Sequence, residues 1–436
     1  MSLMTRVRAQ APTADPDAQR WARLRRQLRD ALVGRLGYRE LSRIAGEADA
    51  ERARGELGVA IGAILNEGDF SSLAEEERLR LSTEVADDVV GLGPLEPFMA
   101  DDEVTEVMVN GVASLYYERA GRLHQAKRVF ESDEQIRMAI ERIIAPLGRR
   151  IDEQSPIVNA RLKNGYRVNA VIPPVAIDGP ALTIRKFSNR IVSLDELVRL
   201  GSLPGWYADL LRVAVRVRQN VAVVGGTGSG KTTLLNALSG EIDPDERIVT
   251  IEDAAELKFM GHPHVVRLEA REASIEGRGA VTIRDLVINA LRMRPDRIVV
   301  GEVRGGEAID MLQAMNTGHD GSLTTLHAGS AAEAVLRLVL MARYGIDLPA
   351  PIIKGQIATA LDLIVVTGRR PDGVRRVGSL VGVSLEGDEA VRLDELVHFD
   401  ADGDVWELVG EPPFLEAAVR QGLVTRGEVG LWARAS

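Results

Sequence analysis

Residues 225–232 read Gly-Gly-Thr-Gly-Ser-Gly-Lys-Thr, between the apolar run Val221-Ala-Val-Val224 and a helix-like run from Thr233 to Leu238. An apolar run, a glycine-rich turn and a helical run in that order constrain the chain to a strand, loop and helix unit of an α/β sheet. The turn lets successive backbone N–H groups wrap a phosphate chain, and the helix N-terminus adds partial positive charge. Gly225, Gly226, Thr227, Gly228, Ser229, Gly230, Lys231, Thr232 and Thr233 are therefore the candidate nucleotide-binding residues. Lys231 is expected to reach the β- and γ-phosphates, and Thr232 to place its hydroxyl on a magnesium ion.

A phosphate cradle does not say what the nucleotide is used for, so the rest of the chain must narrow it. At 436 residues there is room for two or three domains. A formal net charge of -10 and a pI near 5.4 speak against a broad nucleic-acid-binding surface. With no cysteine, disulfides and thiolate zinc sites are excluded, as suits a reducing cytosol. The opening Met1-Ser-Leu-Met-Thr-Arg-Val-Arg never develops the apolar core of an export signal. Charges such as Arg212, Arg216, Lys354 and Asp362 interrupt the most apolar stretches, so no membrane span is expected.

Patterning divides the chain into a flexible lead (1–20), a helical region (21–92), a smaller α/β domain (93–190), a hinge (191–204) and the loop-bearing domain (205–436). Trp21, Leu24, Leu28, Leu32 and Leu36 recur at helical spacing with Arg23, Arg25, Arg26 and Arg29 between them. Such a basic amphipathic helix either packs its leucine stripe on neighbours or docks on a membrane surface or partner. Helices are also expected near 55–67, 75–91 and 134–146. Strands are expected at Val104–Gly111, Leu115–Gly121 and Leu182–Phe187, with a hairpin over Arg161–Ile172 turning at Asn164-Gly165.

Three further segments give the cradle a mechanism. Arg247-Ile-Val-Thr-Ile-Glu-Asp253 and Arg297-Ile-Val-Val-Gly-Glu302 are apolar strands that end in carboxylates, and ligands sit at strand C-terminal edges in such sheets. Glu302 is a candidate to hold magnesium through water or to orient the attacking water; Glu252 competes for the same work. Two of the six histidines, His319 and His327, lie in Thr317–Ser330 among small polar residues suited to sensing a γ-phosphate, with metal ligation as the other reading.

These four segments resemble the Walker A, Asp box, Walker B and His box of the type II and type IV secretion ATPase superfamily. The likeness is closer to the Tad/Flp pilus assembly ATPases, the CpaF group, through Gly93-Pro-Leu-Glu96, Met108-Val-Asn-Gly111, Arg167-Val-Asn-Ala-Val-Ile-Pro-Pro174, Val281–Leu286, Leu291–Asp296 and Gly301–His319. The absence of cysteine disfavours the type II branch that carries a four-cysteine zinc insertion. Asn159, Gly329, Ala270, Glu272 and Ala273 depart from the family pattern.

The resemblance implies a RecA-like P-loop core of mostly parallel sheet, a smaller PAS-like N-terminal α/β domain and a helical N-terminal region. It further implies a homohexameric, cytoplasmic ATPase using ATP and Mg²⁺, peripheral at the inner face of the cell membrane through platform proteins, with the nucleotide between the two domains. Arg167 and Arg185 of the smaller domain, or Arg267 and Arg271 after the Asp box, would complete the site. The implied work is pilus assembly, with retraction open; a type IV secretion or conjugation ATPase is the alternative. A DNA-translocating ring motor is disfavoured by the acidic balance, and no stable nucleic-acid binding is expected.

Overall fold

The computed structural model describes residues 16–45, 50–119, 122–126, 130–162, 164–186, 193–259, 261–271, 278–370, 372–387 and 390–435. The chain forms two compact units, residues 1–187 and 188–436.

The first unit opens with a helical bundle. The leucine stripe turns inward: Leu28 and Leu32 are fully buried with Leu57, Ile61 and Leu81, from helices Pro16–Ala45, Ala50–Leu65 and Glu75–Val90. The first helix thus begins inside the segment read as a flexible lead, the remainder of which lies outside the described residues. It is interrupted at Gly37, where φ is +73°. Arg25 is paired with Glu84 at 3.5 Å and with Glu131, while Arg23, Arg26 and Arg29 stay exposed.

An antiparallel sheet follows, of strands β1 (Val104–Asn110), β2 (Ser114–Arg119), β3 (Arg122–Ala126), β4 (Ile157–Arg161), β5 (Arg167–Val171) and β6 (Ala181–Arg185), in the order β3-β2-β1-β6-β5-β4. Its inward residues, such as Val107, Val168 and Ile184, share one core with Ile136, Ile140 and Ile143 of helix Asp133–Ile144. The hairpin turning at Asn164-Gly165 has its first arm at 157–161, earlier than the pattern suggested.

The second unit is built on a nine-stranded sheet. Its strands are β7 (Val221–Gly225), β8 (Ile248–Glu252), β9 (Val265–Glu269), β10 (Arg297–Val300), β11 (Leu323–His327), β12 (Leu363–Arg369), β13 (Arg375–Glu386), β14 (Ala390–Asp400) and β15 (Val405–Leu408). The order is β15-β14-β13-β12-β7-β11-β10-β8-β9, parallel from β12 through β9 and antiparallel from β12 to β15. Strands covered on both faces read as continuous apolar runs, and every residue of β7, β8 and β10 is buried. Alternate residues feed opposite cores: Val221 and Val223 pack on one side, Ala222 and Val224 on the other.

The predicted hinge is structured where it is described. Ser193 caps helix Leu194–Arg199, accepting a bond from the Glu196 N–H at 3.1 Å, and Leu194 and Leu197 join the core of the second unit. The apolar contacts bind this segment to that unit. No described helix is long and apolar enough to cross a membrane.

Candidate functional site

β7 ends at Gly225, where the chain passes too close to its neighbours for a side chain. A Cβ there would lie 2.4 Å from both Ser229 Oγ and Thr367 Oγ1. The loop closes at Gly230, whose φ of +97° starts helix Lys231–Ser239. Lys231 is 8% exposed; its Nζ donates to the Gly225 and Gly226 carbonyls, at 3.1 Å each, and stands 3.4 Å from His327 Nδ1. Thr232 and Thr233 are half-buried in the first turn, and Thr227 is exposed on the loop.

Sheet order brings the other groups to this point. β11 lies next to β7 and β10 next to β11, so His327 and Glu302 meet beside the lysine although 25 residues separate them in sequence. Glu302 Oε2 accepts from Arg304 Nε at 2.8 Å and from Arg304 Nη2. Glu302 Oε1 is 3.0 Å from His327 Nε2, but the two are not aligned as a hydrogen bond, and Oε1 is buried with no hydrogen-bond partner among the described residues. A buried acceptor without a donor is costly, which marks this oxygen as a position for a ligand or water. Burial, and then the neighbouring Lys231 ammonium, hold the His327 imidazole below its ordinary value against the opposing pull of Glu302.

Glu252 is placed differently. It is 3% exposed, and both its oxygens accept from the Glu256 and Leu257 N–H groups, at 2.7–3.1 Å. Its side chain packs on Gly301, where a Cβ would come within 2.9 Å of Glu252 Cγ. Burial, opposed by those N–H bonds and by Arg267, pushes its carboxyl up from 4.5 to about 7. Between these values the folded state holds more protons than the unfolded one, so stability falls as pH rises through this window, by about 3 kcal/mol at most. Thermal melting from pH 4.5 to 7.5 is therefore expected to show a steeper decline in the unaltered chain than in Glu252→Gln. Parallel curves would sink this account.

The arginines divide between the units. Arg267 reaches the Ala255 carbonyl at 3.5 Å, near Glu252. Arg271 exchanges backbone bonds with Val281 and donates from Nε to the Gly279 carbonyl at 2.7 Å. Its guanidinium thus reinforces the Arg271–Val281 bridge; Glu272 and Ala273 lie outside the described residues. Arg167 and Arg185 face one another across β5 and β6 of the first unit. His319 Nδ1 lies 3.1 Å from the Ala314 carbonyl, and among the described residues no group of three or more His, Cys, Asp or Glu side chains stands together as metal ligands would.

Sequence reasoning did not assign Arg304, Thr367 or Arg375. Arg304 stands two residues after Glu302, within the Gly301–His319 stretch, and its side chain folds back on that carboxylate. Thr367 and Arg375 carry no local signal: register alone brings them to the loop.

Backbone N–H groups and an ammonium suit polyphosphate, while a threonine hydroxyl and an unpartnered carboxylate oxygen suit a hydrated hard cation. The residues present therefore fit a magnesium nucleotide. A phosphate loop on the central strand of a mostly parallel nine-stranded sheet, with a carboxylate and a histidine from the next strands, defines a P-loop protein with a RecA-like core. The chain belongs to the type II/IV secretion system protein family, which it matches over residues 88–369. A provisionally designated conjugal transfer protein of Mycobacterium tuberculosis is 39% identical over 320 residues, covering 72% of this chain and 90% of its own. The type IV secretion system protein PtlH of Bordetella pertussis is 39% identical over 315 residues, covering 65% of this chain and 91% of its own. Among solved structures, the VirB11 ATPase of the Brucella suis type IV secretion system, in complex with sulphate, is 31% identical, covers 66% of this chain and 95% of its own, and has a TM-score of 0.37.

Proposed function

We propose that this chain is an ATP-hydrolysing motor subunit that works as a homohexamer on a membrane secretion or pilus machine. The observation that carries the reading is the convergence of Lys231, His327 and the unpartnered Glu302 Oε1 at the mouth of the phosphate loop. When bound, a magnesium ion would neutralise charge developing on the transferred phosphoryl group. The chain's own residues do the rest. Lys231 and the loop N–H groups would hold the phosphates, the Thr232 hydroxyl would help hold the metal, and Glu302 Oε1 would accept a proton of the attacking water while Arg304 fixes Oε2. Neutral His327 lies between Lys231 and Glu302 and links the phosphate position to the carboxylate. Arg167, Arg185, Arg267 and Arg271 remain candidates, by resemblance, for cations that reach the site during turnover.

Two machines have support. The names of the 39%-identical relatives favour conjugation or type IV secretion. Motifs such as Met108-Val-Asn-Gly111 favour Tad/Flp pilus assembly. Either way the chain would sit at the cytoplasmic face of the membrane through platform partners. The test is magnesium-dependent ATP hydrolysis with molar mass by light scattering, with and without nucleotide. A hydrolysing hexamer supports the motor, and a monomer that binds without turnover opposes it. Co-purification with prepilin-platform or with channel proteins then separates the two machines.

A further inference from the structure

The phosphate loop is held from outside by the hairpin of β12 and β13. Register sets this up: Thr367 stands opposite Gly225, so Arg369 projects two residues beyond the sheet edge, and Arg375 pairs with Arg369 across the hairpin. Thr367 Oγ1 donates to the Val224 carbonyl at 3.0 Å, which leaves Ser229 Oγ to donate to Thr367 Oγ1 at 2.9 Å. Arg375 Nε donates to the Gly228 carbonyl at 3.0 Å, and its Cδ would lie 3.5 Å from a Cβ on Gly230. A Cβ on Gly228 would lie 3.6 Å from Arg369 Nη1.

Other cations of the hairpin are neutralised. Arg370 and Arg376 both pair with Asp404, at 3.0 and 2.6 Å. Among the described residues no carboxylate pairs with Arg375, whose one directed bond goes to the loop. A loop that binds phosphate through its N–H groups must turn its carbonyls outward. A donor on an outward carbonyl therefore fixes the conformation in which the N–H groups point inward, and the adjacent positive charge favours an anion there.

We propose that Arg375 is a positioning residue of the phosphate loop that acts within the same chain, gripping the Gly228 carbonyl so that the loop is held ready for the β-phosphate shared by ADP and ATP. Arg369 adds the second cation on that outer rim. The inference rests on the reading of this loop as an ATP site and adds to it a group outside the nucleotide motif.

Calorimetric titration of the full chain with magnesium ADP and with a magnesium complex of non-hydrolysable ATP tests it. Arg375→Ala is expected to weaken both ligands about tenfold and by the same factor, as loss of one charge-assisted bond on a half-solvated loop would. KM for ATP should rise in step, with kcat within about threefold. Arg369→Ala should show a smaller loss, and Arg392→Ala, which removes an exposed arginine paired with Asp394, should show none. Both hairpin arginines are exposed, so the variants should melt like the unaltered chain. Unchanged affinity in Arg375→Ala, with the unaltered chain binding normally, overturns the inference alone. Weakening confined to the triphosphate also overturns it, because it points to a γ-phosphate contact. No binding by the unaltered chain overturns the ATP-site reading and this inference with it.

Discussion

Lys231→Ala is expected to lower magnesium-dependent ATP hydrolysis at least a hundredfold. In the structure the Lys231 ammonium already lies across the loop mouth, bonded to the Gly225 and Gly226 carbonyls and near His327 Nδ1. It is thus held where the β- and γ-phosphates would arrive. Removing a single preorganised donor from a charge-developing site costs about a hundred- to a thousandfold in rate, and a lysine supplies a full charge in addition. Lys231→Arg tests the need for a compact cation. The side chain is 8% exposed, so a planar fork has little room, and its geometry cannot satisfy both carbonyls as an ammonium does. Its rate is expected to stay well below that of the unaltered chain. Thermal melting must show that both variants fold. Hydrolysis at the normal rate by folded Lys231→Ala would remove the phosphate loop from the chemistry.

What the sequence made legible follows from how locally each feature is encoded. The phosphate loop is contiguous, and its glycines are demanded by close approach and by left-handed backbone, so composition and order sufficed. The carboxylate-bearing strands were legible because apolar runs ending in an acid place that acid at the sheet edge. Their division of labour was not: Glu252 and Glu302 look alike in sequence, and only folding shows one carboxylate consumed by the Glu256 and Leu257 N–H groups. The segment read as a hinge carries a local helix signal: Ser193-Leu-Asp-Glu196 begins a helix capped by the Ser193 side chain. The antiparallel extension β13 to β15 lies beyond the stretch with family resemblance. Arg375 reaches the loop only through the pairing of two strands, which no local pattern announces.

The choice between the two carboxylates yields the other large effect. Glu302→Gln is expected to lower turnover about a thousandfold while leaving ATP affinity within about threefold, since the amide keeps the shape and an acceptor but loses the charge that draws a proton from water. Glu252→Gln should keep turnover within about tenfold and show itself in the pH dependence of stability. At first sight the pKa argues the reverse, because a carboxyl pushed up to about 7 is what a general base is usually asked to have. Geometry decides against it. A base must first reach the proton, and Glu252 is 3% exposed with both oxygens already accepting backbone bonds, whereas Glu302 Oε1 has no hydrogen-bond partner among the described residues. Phosphoryl transfer through a loose transition state also asks for orientation more than for basicity. Arg304 holds Oε2, so on the proposed reading Oε1 would be the atom left to meet the water. Single-turnover hydrolysis with a separate nucleotide-binding titration distinguishes the cases. A slow Glu252→Gln beside a fast Glu302→Gln would exchange the two roles and would require the bonds from Glu256 and Leu257 to break before chemistry.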